Sequence, residues 1–220
     1  MKLSELIAHD KKKMSKMNRQ QKMQFIWDYY KIPIIAIAAV VFIAVSAFVN
    51  SIGRRDVVMY AVLLNNDAQI IECDDTVFSS LLEKAGYDMT KKRVDVRTDL
   101  NMGEQYTPEK DGETLQVLTA LFAISDMDIY AAPQYYFDIF AKDDGFADLS
   151  SLLTEEQKNR YAGKLYYYDG TKLCGLILST DSPLHKAGYF HNEIIIGIVG
   201  NAVNLQAAAD FLLQLLEAGI

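Results

Sequence analysis

An α/β domain carried on one membrane span is the fold class this sequence predicts, and three observations predict it. Ile32 to Val49 is an uncharged run of Ile, Ala, Val and Phe with one Pro and one Ser. From Asp56 to Ile220, short apolar runs alternate with segments of helical period. Charge is divided between the two parts: Met1 to Lys31 carries a net +5, Arg54 and Arg55 add +2, and the remaining 165 residues carry −14.

The apolar run comes first in the argument. Eighteen residues at helical rise make about 27 Å, close to the roughly 30 Å of hydrocarbon that a spanning helix crosses. Trp27, Tyr29 and Tyr30 precede it, where aromatic rings favour the headgroup level. Thirty-one residues before the run are too many for a cleavable signal peptide. The sequence thus predicts a cytoplasmic basic tail over residues 1–31, a transmembrane helix over 32–52 and an extracytoplasmic domain over 56–220. Basic residues stay on the cytoplasmic side, and eight of them before the run outweigh Arg54 and Arg55 after it. In the tail, Met14, Met17, Met23, Phe25 and Ile26 interleave with Lys11, Lys12, Lys13, Lys16, Arg19 and Lys22. That pattern suits an amphipathic helix on the inner leaflet.

Within the domain, Val57 to Leu64 has the continuous apolar character of a strand buried on both faces. Asn65-Asn66-Asp67 ends it. Asp74-Asp75-Thr76 opens a helix through Lys84, stopped by Gly86. Lys92 to Thr98 reads as a second strand. Gly112-Glu113-Thr114 opens a helix with Leu115, Leu118, Leu121, Phe122 and Ile124 on one face. Asp128 to Ala132 is a third strand, and Pro133 leads into another helix. A β-α-β-α-β-α order predicts a mostly parallel sheet flanked by helices. Further on, Tyr168-Asp169-Gly170 predicts a tight hairpin turn. Glu193 to Val199 is an apolar strand, and Asn204 to Glu217 is a last amphipathic helix.

Three stretches resemble the first lobe of extracellular solute-binding proteins, which feed sugar and peptide importers. They are Leu115 to Ala132 with its Asp126-Met127-Asp128-Ile129 approach to the third strand, Asp144-Gly145-Phe146-Ala147-Asp148-Leu149, and Asp169-Gly170-Thr171-Lys172-Leu173-Cys174-Gly175-Leu176-Ile177. The final helix, with Ala207-Ala208-Ala209-Asp210-Phe211-Leu212, is similar to one near that family's cleft. The resemblance implies a single periplasmic-binding-protein-like lobe. A full member has two lobes and about twice this length; here Cys174-Gly175-Leu176-Ile177 also lacks the family's Tyr and Pro. The Trp27-Asp28-Tyr29-Tyr30-Lys31 run before the span resembles short anchored proteins of Gram-positive anaerobes.

The chemistry is sparse. Acidity of the domain argues against nucleic acid, whose phosphates would repel it. Cys73 and Cys174 can form a disulfide in an oxidising compartment or sit as two small buried hydrophobes. Two Cys and two distant His do not make a zinc site, and Asp138, Asp143, Asp144 and Asp148 lack a calcium loop's spacing. No motif requires a cofactor. Gly197-Ile198-Val199-Gly200 is a strand end, not a phosphate loop. In parallel sheets, ligands bind beyond the carboxyl ends of the strands. Those ends read Asn65-Asn66, Thr98-Asp99, Gln134-Tyr135, Thr180-Asp181 and Asn201, with Tyr135 or Tyr136 offering a ring to stack on. The same residue types serve ordinary turns and caps.

The function these features predict is a membrane-anchored binding or interaction module, accessory to a transporter or envelope assembly. Its expected partner is a membrane or envelope protein, since one lobe alone holds small solutes weakly. Two other classes stay open: a hydrolase of envelope material using Ser182, His185, His191 and Asp181, and a sensor signalling through the tail.

Overall fold

The computed structural model describes residues 17–52, 55–66 and 75–219, without side-chain detail at 25, 26, 29, 30, 33 and 47–52. The predicted tail falls largely on residues 1–16, outside those described, as do Cys73 and the stretch from Asp67 to Asp74. The chain forms two units, 1–54 and 55–220.

In the first unit, helix α1 (Arg19–Ile52) runs for 34 residues. Asn18 and Gln21 start it reciprocally: the Gln21 N–H donates to Asn18 Oδ1 at 3.0 Å, and the Asn18 N–H donates to Gln21 Oε1 at 3.1 Å. This exchange satisfies two backbone donors that a helix start leaves unpaired. From Ile34 to Val45, apolar side chains on every side of the helix are exposed. Among the described residues, no helix is long and apolar enough to cross a membrane. The predicted span lies partly outside the residues whose side chains are described.

In the second unit the elements run β1 (Asp56–Leu63), α2 (Thr76–Lys84), β2 (Lys92–Arg97), α3 (Pro108–Ala123), β3 (Ile129–Ala132), α4 (Gln134–Ala141), α5 (Glu155–Arg160), β4 (Leu165–Tyr168), β5 (Lys172–Leu178), α6 (Pro183–Lys186), β6 (Ile194–Ile198) and α7 (Leu205–Glu217). Two 3₁₀ turns, Leu149–Ser151 and Ala162–Lys164, flank α5.

The sheet order is β2-β1-β3-β6-β5-β4. β1 pairs in parallel with β2 and β3, as the alternating strands and helices predict. The other pairings, β3 with β6, β6 with β5 and β5 with β4, are antiparallel. The sheet is therefore mixed, which corrects the mostly parallel expectation. One antiparallel pair is the predicted hairpin: β4 and β5 are joined by a tight turn, with Asp169 at φ 51° and Gly170 at φ 70°. Positive φ at both central residues is the hairpin geometry that Asp-Gly supplies. β6 then inserts between β3 and β5, antiparallel to both.

Alternate residues of β1 feed two cores. Met59, Ala61 and Leu63 pack with α2 and α7, where Phe78 stacks on Phe211 at 5.1 Å. Val62 and Leu64 pack with α3 and α4 around Tyr130, Phe137 and Phe146. Helix α3 begins at Pro108, four residues before the predicted opening at Gly112. Thr107 before it and Pro108 at its first position are the start signals.

Candidate functional site

Strand order reverses between β1 and β3, because β1 continues outward to β2 and the chain then returns to β3. The carboxyl ends of neighbouring strands separate at such a point and leave a crevice. A cleft of about 450 Å³ lies there, lined by Asn65, Asn66, Asn101, Met102, Gly103, Glu104, Pro133, Tyr135, Tyr136, Phe190, His191, Asn192 and Ile194. Its volume falls within the range of small-ligand sites.

Three segments form its walls. The first is the turn after β1. Asn65 has φ 56° and accepts the Met102 N–H through Oδ1 at 2.6 Å. Asn66 is buried and donates from Nδ2 to the Thr98 carbonyl at 2.7 Å. Both amides therefore clamp the second wall, the loop between β2 and α3. That loop is also held from below. Asp111 accepts the Gly103 N–H at 3.0 Å and the Thr107 N–H at 2.7 Å, and these bonds, Thr107 first, lower its pKa. Tyr136 donates its hydroxyl to the Gly103 carbonyl at 2.7 Å. Burial, and then the Asp111 charge, raise the Tyr136 pKa.

The third wall precedes β6 and is positioned by a buried pair. Ser182 Oγ lies 2.7 Å from His185 Nδ1, and His185 Nε2 lies 2.7 Å from the Asn192 carbonyl. A carbonyl only accepts, so Nε2 carries the proton and donates to it. In the neutral ring Nδ1 is then the acceptor for the Ser182 hydroxyl. Ser182 has no exposed surface and its oxygen also accepts the His185 N–H at 3.3 Å, capping α6. A nucleophile must reach its substrate, and this hydroxyl does not. Ser182 and His185 are thus placed to shape the wall.

The predicted site residues separate into two groups. Asn65, Asn66 and Tyr135 line the cleft. Tyr135 is 52% exposed and meets Tyr136 edge-on at 5.0 Å. Tyr136 is buried with its hydroxyl engaged, so of the two tyrosines it is Tyr135 that offers a ring face. Gln134, Thr98, Asp99, Thr180 and Asp181 do not line the cleft. Gln134 donates to the Tyr166 hydroxyl at 3.2 Å, on the β4 side. Thr98 supplies the carbonyl that Asn66 holds. Asp99 pairs with Arg97 at 2.7 Å, an interaction that lowers the carboxyl pKa. Thr180 and Asp181 are exposed between β5 and α6. Asn201 lies at the opposite sheet edge, because β6 runs antiparallel, and there donates to the Phe122 carbonyl at 2.8 Å.

Sequence reasoning missed Asn101 to Glu104, Phe190, Asn192 and Ile194, and named His191 only for a hydrolase. The run Asn101-Met102-Gly103 carried a loop signal; Phe190 to Asn192 reaches this edge only because β6 is antiparallel. Glu104 is the one carboxylate among the lining residues, and no Lys or Arg is among them. Cys174 is a free, buried thiol, and its pKa is raised first by burial. Among the described residues, no group of three or more His, Cys, Asp or Glu is placed to hold a metal ion.

A scan of protein-family models gives no match to the chain, and a search of curated proteins gives none either.

Proposed function

We propose that this protein is a single-pass, membrane-anchored binding module whose extracytoplasmic domain receives a segment of a protein partner in the cleft between β1 and β3. The cleft carries the reading. Its walls are fixed by hydrogen bonds that Asn65 and Asp111 accept and that Asn66, Tyr136 and His185 donate, so little order is lost when a partner enters. Tyr135 stands half-exposed at its mouth as an aromatic anchor. The lining amides of Asn101 and Asn192 suit polar backbone groups.

The anchor rests on the uncharged run Ile32 to Val49, which falls within the helix Arg19–Ile52. Exposed apolar side chains all round a helix are costly in water and favourable in hydrocarbon. The basic tail before the run and the acidic domain after it support a cytoplasmic tail and an external domain. The domain belongs with solute-binding lobes in this reading, with the second lobe's place taken by the partner. Its role is accessory to a transporter or envelope assembly.

A photo-cross-linking residue in place of Tyr135, in cells making the full chain, tests the reading. One dominant adduct with a membrane or envelope protein is the expected result, and the same probe at Tyr167 on β4 gives no such adduct. A single lobe leaves polar contacts competing with water, each worth about 0.5–1.5 kcal/mol. Free sugars, peptides and amino acids should then bind with a Kd on the order of millimolar. Tight calorimetric binding of any of these would overturn the partner reading. Protease added to intact protoplasts should remove residues 56–220; their survival would reverse the topology.

A further inference from the structure

Among the carboxylates around the cleft, Glu104 is the one that lines it, and it is uncommitted. It is exposed on the second wall, and among the described residues it makes no ion pair. Its neighbours in that loop are engaged. Asp99 pairs with Arg97 at 2.7 Å, and Asp111 accepts the Gly103 and Thr107 N–H groups. Tyr135, half-exposed, contributes an aromatic ring to the same cleft. A carboxylate and an aromatic face are the two surfaces that a guanidinium binds, the first through paired N–H donors and the second by stacking.

Resting on the partner reading above, we infer that the segment received by the cleft carries an arginine, which pairs with Glu104 and lies on Tyr135. Charge supplies the first argument, counted over each described stretch that forms the walls. Residues 65–66 and 133–136 carry none. Residues 97–111 carry Asp99, Glu104, Glu109 and Asp111 against Arg97 and Lys110. Residues 181–194 carry Asp181 and Glu193 against Lys186, with His185 and His191 counted neutral. Six carboxylates thus stand against three cations, and none of the three cations lines the cleft.

The loop's donors supply the second argument. An anionic segment would need N–H groups to hold it, and those of Met102, Gly103 and Thr107 already donate to Asn65 and Asp111. The Asp111 charge beside that loop adds repulsion. These bonds also fix the backbone that carries Glu104, so less freedom is lost when a cation pairs with it. Tyr135 decides for arginine over lysine, because a planar guanidinium stacks on a ring and keeps its fork of donors for a carboxylate.

The test uses the full chain in cells, with a photo-cross-linking residue in place of Asn101, so that Glu104 and Tyr135 both stay. Mass spectrometry of the adduct should place an arginine within a few residues of the attachment point. Glu104→Gln should cut the adduct yield several-fold, Glu104→Lys should abolish it, and Glu104→Asp should keep most of it. Replacing that arginine by glutamate should restore the yield with Glu104→Lys. Undiminished yield in Glu104→Gln, or an adduct peptide without arginine, overturns the inference and leaves the partner reading standing. Absence of any adduct from probes at both Asn101 and Tyr135 overturns the partner reading together with it. Thermal melts of the Glu104 variants should match wild type; a lowered melting point would show that Glu104 is already engaged within the chain and counts against the inference.

Discussion

The side-chain carbonyl of Asn65 accepts the Met102 N–H at 2.6 Å, joining the end of β1 to the loop after β2. Asn65 does so from the left-handed region, at φ 56°, which asparagine tolerates and alanine does not. One residue thus supplies both the turn and the clamp.

Two substitutions separate those contributions. Asn65→Gly keeps the backbone conformation and loses the bond, at a cost of about 1 kcal/mol. Asn65→Ala loses the bond and adds about 1–2 kcal/mol for the left-handed backbone. Urea denaturation of the full chain in detergent should rank them wild type, then Gly, then Ala. Equal loss in the two variants would show that the backbone conformation contributes nothing.

Asp111 makes the same wall sensitive to acid. Its pKa is lowered by the Thr107 and Gly103 N–H groups. A carboxyl whose folded pKa is depressed contributes stability that is complete above its unfolded value and is lost as pH falls through the folded one. Asp111→Asn should therefore lower Tm at pH 7, and the gap to wild type should close progressively below the unfolded value of 3.8. A gap independent of pH would mean that the carboxylate charge is not what holds the loop.

Much of the fold was legible because its signals are local. The apolar run of β1, the Asp169-Gly170 turn and the α7 stripe each depend on residues within one element. Apart from the β4–β5 hairpin, sheet direction beyond β3 was not legible. Inserting β6 antiparallel between β3 and β5 is a tertiary choice, made where Ile194 to Ile198 find partners on both sides. The site followed the same division. Asn65, Asn66 and Tyr135 could be set at the cleft because they follow parallel strands, whereas Phe190 and Asn192 precede an antiparallel one.

Gly197 shows how such a tertiary fact constrains a residue whose sequence context says little. A Cβ there would lie 2.6 Å from the Cys174 carbonyl oxygen and 2.8 Å from Phe137 Cζ. The Phe137 ring covers both this glycine and Gly175 on β5, where a Cβ would come within 3.1 Å of the same atom. Gly197→Ala should cost about 1–3 kcal/mol through overpacking. Adding Phe137→Leu should recover only part of that loss, because the carbonyl contact remains. Full recovery in urea titrations would show that the backbone clash relaxes freely.

Tyr130 leads to a prediction of the opposite sign. It lies at the centre of β3, fully buried, with ring contacts to Phe122 at 5.3 Å and Phe140 at 5.7 Å. Among the described residues its hydroxyl has no hydrogen-bond partner. A buried hydroxyl left unpaired loses its water bonds and gains nothing in return, a penalty of about 1–3 kcal/mol. Tyr130→Phe keeps the ring and removes the penalty, so stability should rise by about 1 kcal/mol. Alkaline titration adds an independent check. Burial raises the Tyr130 pKa well above the ordinary 10.0. The unfolded chain therefore releases this proton first, and the stability that depends on it is present below pH 10 and lost as pH rises through the folded value. Phenylalanine has no proton to release, so the variant's advantage should grow above pH 10. A Tyr130→Phe protein less stable than wild type at neutral pH would mean that the hydroxyl is paired after all.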